Sequence, residues 1–172
     1  MRSVFQTILT NGFLPLLPIF LWNLCLTAKL PPAYEPKNFD SNIPGLLLRG
    51  EDFFRAIIFL LPLFFKINVS TAPGKLGLII YIAGSLVYYF SWLALVFAPR
   101  SLWSKSLLGF AAPAYTPVIW LTGISLMADT YYFNLAYSTW HYLVPCILFS
   151  LFHVSHTWLV YLKNKVKEGL KF

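Results

Sequence analysis

The chain has 172 residues, of which 58% are hydrophobic, 19% aromatic and only 11% charged. About a quarter of a soluble domain is charged, so this composition excludes an ordinary water-soluble globule and predicts an integral membrane protein. The net charge of +7 collects at the ends of apolar runs instead of on a polar face with exposed aromatics, which excludes a nucleic-acid-binding protein. Cys25 and Cys146 lie in separate apolar runs, so the sequence predicts neither a disulfide, nor a zinc site, nor a redox pair.

Five apolar runs predict a single transmembrane domain over residues 1–172, an all-α polytopic bundle in which each run crosses the bilayer once. The predicted helices are 4–28, 46–67, 76–97, 107–128 and 139–162, with a Pro-rich loop at 29–45 and a basic tail at 163–172.

The first run carries Pro15 and Pro18, which predict a kinked spanning helix. The alternative is a cleaved signal peptide, against which stand these prolines and the lack of a small-residue cleavage site before Lys29. The following Pro-rich loop is predicted to be non-helical. Its aromatic residues Tyr34 and Phe39 favour contact with the membrane surface or the bundle. The loop is therefore either a lid or a plain connector.

The second run is short, because Phe53 to Phe65 does not cross about 30 Å of hydrocarbon at about 1.5 Å per residue. A spanning helix must begin earlier, and that brings Glu51, Asp52 and Arg55 to the inner interface. Arg55 follows the two acids by four and three residues, so local ion pairs lower the cost of its position. The alternative is that Arg55 extends to the lipid head groups.

The third and fourth runs each carry small residues at intervals of seven, which predicts a tight helix pair. These residues are Gly77, Gly84, Ser91 and Ala98 in the third run and Gly109, Thr116 and Gly123 in the fourth. Pro113 and Pro117 predict a break in the fourth helix. Broken helices line substrate sites in transporters but are also common in membrane helices generally.

Charge predicts the orientation of the five spans, since Lys and Arg are in excess on the cytoplasmic side. One side holds ten basic residues, which are Lys29, Lys37, Arg49, Arg55, Arg100, Lys105, Lys163, Lys165, Lys167 and Lys171. The other side holds three, which are Arg2, Lys66 and Lys75. The N-terminus is therefore predicted outside and the C-terminus in the cytoplasm. The sequence does not identify which membrane is spanned.

The fifth run contains all three histidines and collects its polar residues on one helical face. That face consists of Tyr142, Cys146, Ser150, His153 and Thr157. Such a stripe is predicted to turn away from lipid. His141 instead falls in an outer aromatic belt with Trp140 and the tyrosines of the 129–138 link.

His153 and His156 allow three interpretations. They are packed residues satisfied by local hydrogen bonds, or metal ligands, for which partners are lacking. In the third interpretation, the two histidines form a site with residues of the second span. Glu51, Asp52 and Arg55 are predicted to lie at the same depth in the membrane as these histidines. If the two helices touch, acids, bases and an anion-binding Arg meet below the cytoplasmic head groups.

The leading hypothesis is a protein that binds or transports an amphipathic, lipid-like small molecule in an intramembrane pocket near the cytoplasmic leaflet. The predicted ligand-binding residues are Arg55, Ser150, Thr157, Cys146, Tyr88, Trp92 and Tyr115. The second hypothesis is an enzyme acting on a lipid head group, with His153, His156, Glu51 and Asp52 as acid–base residues. The third is an accessory subunit packed on another membrane protein or a homo-oligomer. No metal site is predicted, and the sequence does not identify a cofactor.

Overall fold

The structure is a computed structural model that describes the backbone of residues 4–169 and the side chains of residues 7–166. It is mostly helical, consistent with the all-α prediction. Two helices, Ala72–Phe97 and Trp140–Val166, are long and apolar enough to cross a membrane. They correspond to the third and fifth predicted spans, whereas the other three runs are interrupted or shorter. Arg2 and Lys171, which entered the charge prediction, lie outside the described residues.

The helices in chain order are α1 (Val4–Leu9), α2 (Leu16–Leu26), α3 (Pro36–Phe39), α4 (Gly45–Leu60), α5 (Ala72–Phe97), α6 (Leu102–Lys105), α7 (Leu107–Phe110), α8 (Ala112–Tyr115), α9 (Pro117–Met127) and α10 (Trp140–Gly169). The strands are β1 (Phe65–Ile67) and β2 (Ala128–Tyr131), and short 3-10 turns cover Thr27–Lys29, Pro32–Tyr34 and Leu61–Phe64.

The prediction of one kinked helix over 4–28 is wrong, because the chain breaks between α1 and α2. The backbone amide of Gly12 donates to the Phe65 carbonyl at 3.0 Å, so this break is anchored to β1. Pro15 precedes α2 directly and Pro18 lies in its first turn. Proline is tolerated in a first turn, where amides lack helical partners anyway. The prolines therefore begin a helix here and do not kink one.

The prediction of a helix-free loop at 29–45 is also wrong in part. Pro32 opens a 3-10 turn and Pro36 opens α3. Both follow the preference of proline for the first helical position. The loop is consequently folded into two compact turns beside the bundle.

The second and fifth predicted helices have different ends from those expected. The second ends at Leu60, and the chain continues through a 3-10 turn into β1, which pairs antiparallel with β2. Phe65 faces Tyr131 in this register, so the two-stranded sheet closes the end of the molecule where the aromatic link was predicted. The fifth continues as helix into the predicted basic tail, to Gly169.

The tight pairing of the third and fourth runs is confirmed, since α5 packs along α9. A Cβ added to Gly77 would lie 2.6 Å from the Gly123 carbonyl oxygen, and one added to Gly123 would lie 2.5 Å from the Tyr81 nitrogen. Gly109 is the exception, because it packs against its own preceding turn at Trp103. The predicted break is also observed, with Pro113 in the first turn of α8 and Pro117 opening α9.

Candidate functional site

The site lies where α4 packs against α10. A side chain at Gly50 would overlap the ring of Phe152, so glycine at this position lets the two helices approach closely. The next residue, Glu51, is thereby directed into α10 and is only 2% exposed. A carboxylate is costly to bury unless its oxygens are hydrogen-bonded. The surrounding side chains supply these contacts.

Three side chains contact the Glu51 carboxylate. Its Oε2 lies 2.7 Å from Nδ1 of His156, and its Oε1 lies 2.9 Å from Nδ1 of His153. The Arg55 guanidinium also forms an ion pair with Oε1, one turn further along α4. Arg55 extends a second contact of 2.9 Å to Asp52, whose side chain is 72% exposed. Glu51 is therefore the centre of the cluster and Asp52 lies at its periphery.

His156 joins this cluster to the Pro-rich loop. Its Nε2 lies 3.2 Å from the Phe39 carbonyl oxygen, and its ring packs against the Phe39 ring with centroids 4.4 Å apart. About two helical turns further along α10, Lys163 donates to the Asn38 carbonyl at 2.7 Å and to the Ser41 carbonyl at 2.8 Å. The segment from α3 to Ser41 is thus held against α10 by two basic residues.

A cavity of about 310 Å³ lies beside the cluster and is lined mostly by aromatic and aliphatic side chains. Arg55 and His153 of the cluster line it, with the His153 ring stacked on Phe149 at 5.3 Å. Arg55 is the only Lys, Arg, Asp or Glu among the described lining residues. The cavity is therefore apolar in most directions and cationic at one place.

The loop also contributes Tyr34 and Phe39 to the cavity lining. Tyr34 stacks on Phe110 at 4.7 Å between centroids and donates its phenol hydrogen to the Phe110 carbonyl at 2.5 Å. Burial raises the pKa of the Tyr34 phenol, so the group stays protonated and remains a donor. The loop consequently forms one wall of the cavity, as expected of a lid.

Two further polar groups lie along the cavity. Tyr88 donates to Oδ1 of Asn23 at 2.6 Å, which joins α5 to α2. Trp120 is 2% exposed, and its buried indole N–H has no hydrogen-bond partner among the described residues. Buried donors normally have a partner.

The structure brings together several of the residues predicted for the site. Those that line the cavity are Arg55, His153, Thr157, Tyr88 and Trp92. Glu51 and His156 stand behind this wall, in contact with His153 and the loop. Ser150, Cys146 and Tyr115 do not line the cavity. Ser150 donates to the Cys146 carbonyl within α10 at 2.9 Å, and Tyr115 donates to the Leu108 carbonyl at 3.2 Å.

Sequence reasoning did not identify Phe110, Trp120 and Asn23 as part of the site. Asn23 carried a signal, since it is a polar residue within an apolar run. The two aromatic residues carried none, because the chain contains 16 Phe and 6 Trp and a helical pattern does not separate cavity walls from packed core. Among the described residues, no group of three or more His, Cys, Asp or Glu is arranged to hold a metal ion.

Comparison of the chain with protein-family models, curated proteins and solved structures finds no match.

Proposed function

We propose that the protein is a multi-pass membrane protein that binds an amphipathic, lipid-like molecule and moves it in the manner of a transporter. The observation that carries this proposal is a largely apolar cavity with a single cationic side chain, Arg55, in its wall. A volume of about 310 Å³ lies at the lower end of the range of about 300–1,000 Å³ for small-molecule sites. The cavity suits a molecule with one anionic group and a compact apolar body.

The membrane assignment is supported by the surface as well as by the two long helices. Large apolar side chains are exposed on the shorter helices too, including Leu24 at 78% and Leu46 at 79%. Exposed large apolar side chains therefore occur on the short helices as well as on the two long ones. We therefore retain the five-pass arrangement, in which the broken α1–α2 and α7–α9 segments each act as one span. In this arrangement the positive-inside rule predicts the N-terminus outside and the Pro-rich loop in the cytoplasm.

The polar groups of the cavity define where the ligand's head would bind. Arg55 offers donors toward an anionic head. Glu51 holds Nδ1 of His153, so Nε2 accepts a hydrogen bond when the ring is neutral and donates one when both ring nitrogens are protonated. The apolar part of the ligand would contact aromatic rings, among them Phe59, Phe110 and Trp92. Guanidinium groups bind carboxylate and phosphate oxygens in preference to neutral groups. The favoured ligand is thus a monoanionic amphiphile.

This ligand class is tested with three probes that share one alkyl chain, namely decanoate, decanol and decyltrimethylammonium. Thermal unfolding of the purified protein in lipid nanodiscs is followed by tryptophan fluorescence. Decanoate is expected to raise Tm, decanol to raise it less, and the cationic probe not at all. Arg55→Gln should remove the advantage of decanoate over decanol, whereas Arg49→Gln, an exposed residue on the same helix, should preserve it. Stabilisation by decanoate that survives the combined Arg55→Ala and His153→Ala substitutions would refute the site.

A second candidate function is supported by the Glu51–His153 contact, since a carboxylate that orients a histidine is the arrangement of a general base. In this function Nε2 of His153 takes a proton from water as its oxygen attacks the ester carbonyl of a lipid in the cavity. An acid and an alcohol leave. Hydrolysis of p-nitrophenyl decanoate tests it: His153→Gln should abolish release of p-nitrophenolate, whereas His141→Gln should not. Equal rates in both variants would exclude this enzyme.

A further inference from the structure

His156 has an acceptor on each side of its ring. Nδ1 lies 2.7 Å from Oε2 of Glu51, and Nε2 lies 3.2 Å from the Phe39 carbonyl oxygen. A carbonyl oxygen only accepts, so the Nε2 contact is a hydrogen bond only if Nε2 carries a proton. A neutral imidazole carries just one proton, and its Nδ1 would then present a lone pair to the carboxylate. A second proton between Nδ1 and Oε2 is required for both bonds to exist.

That second proton resides on the imidazole, as an imidazolium facing a carboxylate, or on Glu51, as a carboxylic acid that donates to Nδ1. With either placement, both ring nitrogens of His156, Oε2 of Glu51 and the Phe39 carbonyl oxygen all take part in a hydrogen bond. His156 is 2% and Glu51 2% exposed, so water does not substitute for the missing hydrogen bond. An unmade hydrogen bond between such buried groups costs about 1–3 kcal/mol. The geometry therefore indicates that the second proton stays bound between Nδ1 of His156 and Oε2 of Glu51.

Charged groups on every neighbouring element act on this proton. Glu51 on α4 and Asp40 on the loop, whose Oδ1 lies 3.7 Å from Nε2, attract it. Arg55 on α4 and Lys163 on α10 repel it, and His153 competes for the same carboxylate at 2.9 Å. Asp52 is more remote and pairs with Arg55. Two carboxylates attract the proton and two fixed cations repel it, so the proton can exchange as pH changes.

We propose that Glu51 and His156 form a proton-binding site, and that the bound proton holds the loop from Pro36 to Ser41 closed over the cavity. When the proton leaves to solvent, His156 keeps one proton and can bond to only one side. If that proton moves to Nδ1 to satisfy Glu51, Nε2 turns a lone pair toward the Phe39 carbonyl and Asp40. The loop then loses one of its attachments to α10 and opens. Protonation closes the loop and deprotonation releases it.

The proton site also contacts the ligand-binding groups, because Glu51 bonds to His153 and Arg55, which line the cavity. Loss of the proton leaves the Glu51–His156 pair one unit more negative in either placement and draws Arg55 toward it. An anionic ligand and a proton should accordingly bind together, which is the coupling that a proton-dependent carrier needs. This consequence rests on the proposed function, whereas the proton site itself does not.

The protonation state is measured at about pH 5, where the proton is expected to be bound, by nitrogen NMR of the protein in nanodiscs with ¹⁵N-labelled histidine. The chain has three histidines, and the signal missing in His156→Gln assigns the relevant ring. An imidazolium signal supports the proposal. A ring protonated only at Nε2 also supports it if infrared spectroscopy shows a carboxylic acid band that Glu51→Gln removes. A ring protonated only at Nδ1, or at Nε2 without that band, overturns it.

Loop closure is measured with a spin label at Lys37→Cys, whose side chain is 78% exposed. Cys25→Ser removes the exposed native thiol, and Cys146 is fully buried and stays. The label should be immobile at about pH 5 and become mobile by about pH 8. Glu51→Gln should hold the label immobile across this range, because its amide donates to Nδ1 without titrating, whereas Asp52→Asn should leave the response unchanged. An equal pH response in Glu51→Gln and the parent overturns the proposal.

The two proposals fail separately. If His156 titrates but decanoate does not bind, the proton site is supported and the proposed ligand class is refuted. Decanoate binding that is independent of pH, together with a His156 ring protonated only at Nδ1, leaves the ligand and removes the proton site.

Discussion

Tyr142 donates its phenol hydrogen to the backbone carbonyl of Ile58 at 2.8 Å, and both residues are fully buried. Ile58 lies in the last turn of α4, where its carbonyl would ordinarily accept from the residue four positions later. That residue is Pro62, which has no amide hydrogen. A side chain of α10 thus supplies the hydrogen bond that proline withholds from α4, and fixes the two helices relative to each other above the Glu51 cluster.

Tyr142→Phe is expected to destabilise the protein by about 1–3 kcal/mol, because it leaves a buried carbonyl without a donor. Unfolding in denaturing detergent measures the loss. Adding Pro62→Ala should restore part of it, since alanine supplies the amide that Ile58 lacks. Tyr115→Phe, which removes a bond of 3.2 Å to the Leu108 carbonyl, serves as the control and should cost less. If Pro62→Ala restores none of the lost stability, the Tyr142 hydroxyl stabilises the protein through a contact other than the one with the Ile58 carbonyl.

Tyr34→Phe is expected to loosen the Pro-rich loop while keeping its ring stacked on Phe110. The substitution removes only the bond of 2.5 Å to the Phe110 carbonyl, which is worth about 0.5–1.5 kcal/mol. Hydrogen exchange of the backbone amides from Ala33 to Asp40 should become faster. Exchange in α5 should stay unchanged, since the bond does not reach that helix. Unchanged exchange in the loop would mean that the Tyr34 hydroxyl does not hold it.

Periodicity predicted the parts of this fold that depend on local chemistry. The small-residue spacing of Gly77 and Gly123 predicted the α5–α9 contact, since small residues on one helical face allow the backbones of two helices to approach closely. The polar face of α10 and the charges of α4 likewise placed Glu51, Arg55 and His153 at one depth. Their mutual contact was conditional on two helices meeting, which depends on Gly50 fitting against the Phe152 ring, a long-range match that no local pattern encodes.

The errors have three different physical origins. Proline was treated as a helix breaker, whereas Pro15, Pro32 and Pro36 each stand at the start of a turn or helix. Strand β1 was hidden because three residues are too few for an alternating pattern, and its pairing with β2 joins residues far apart in the chain. The cavity was also inaccessible to prediction, since its walls come from segments as separate as α2 and α10.

Gly123→Ala is expected to separate α5 from α9, because the new Cβ would lie 2.5 Å from the Tyr81 backbone nitrogen. Backbone atoms cannot rotate away as a side chain does, so the cost should reach or exceed the about 1–3 kcal/mol that is usual for overpacking. Gly45→Ala is the matched control, since its nearest neighbour would be 3.8 Å away. Resistance to unfolding in denaturing detergent should fall for the first variant and stay level for the second. A loss of similar size in both would contradict the close packing.

Glu51→Ala is expected to destabilise the protein far more than Glu51→Gln. Alanine leaves the two histidines without their shared acceptor and leaves Arg55 with Asp52 alone. Because the Arg55 side chain is 42% exposed, the cost should lie at or below the lower end of the about 3–5 kcal/mol of breaking a fully buried ion pair from one side. Glutamine keeps an oxygen toward Arg55 and a donor toward His156. Glu35→Ala provides the surface comparison, because its pair with Lys37 is exposed and such pairs contribute about 0–1 kcal/mol. The measurement is unfolding in denaturing detergent at a pH near neutral. If Glu51→Ala were as mild as Glu35→Ala, the carboxylate would not organise the cluster, and both the cavity's cationic wall and the proton site would need another anchor.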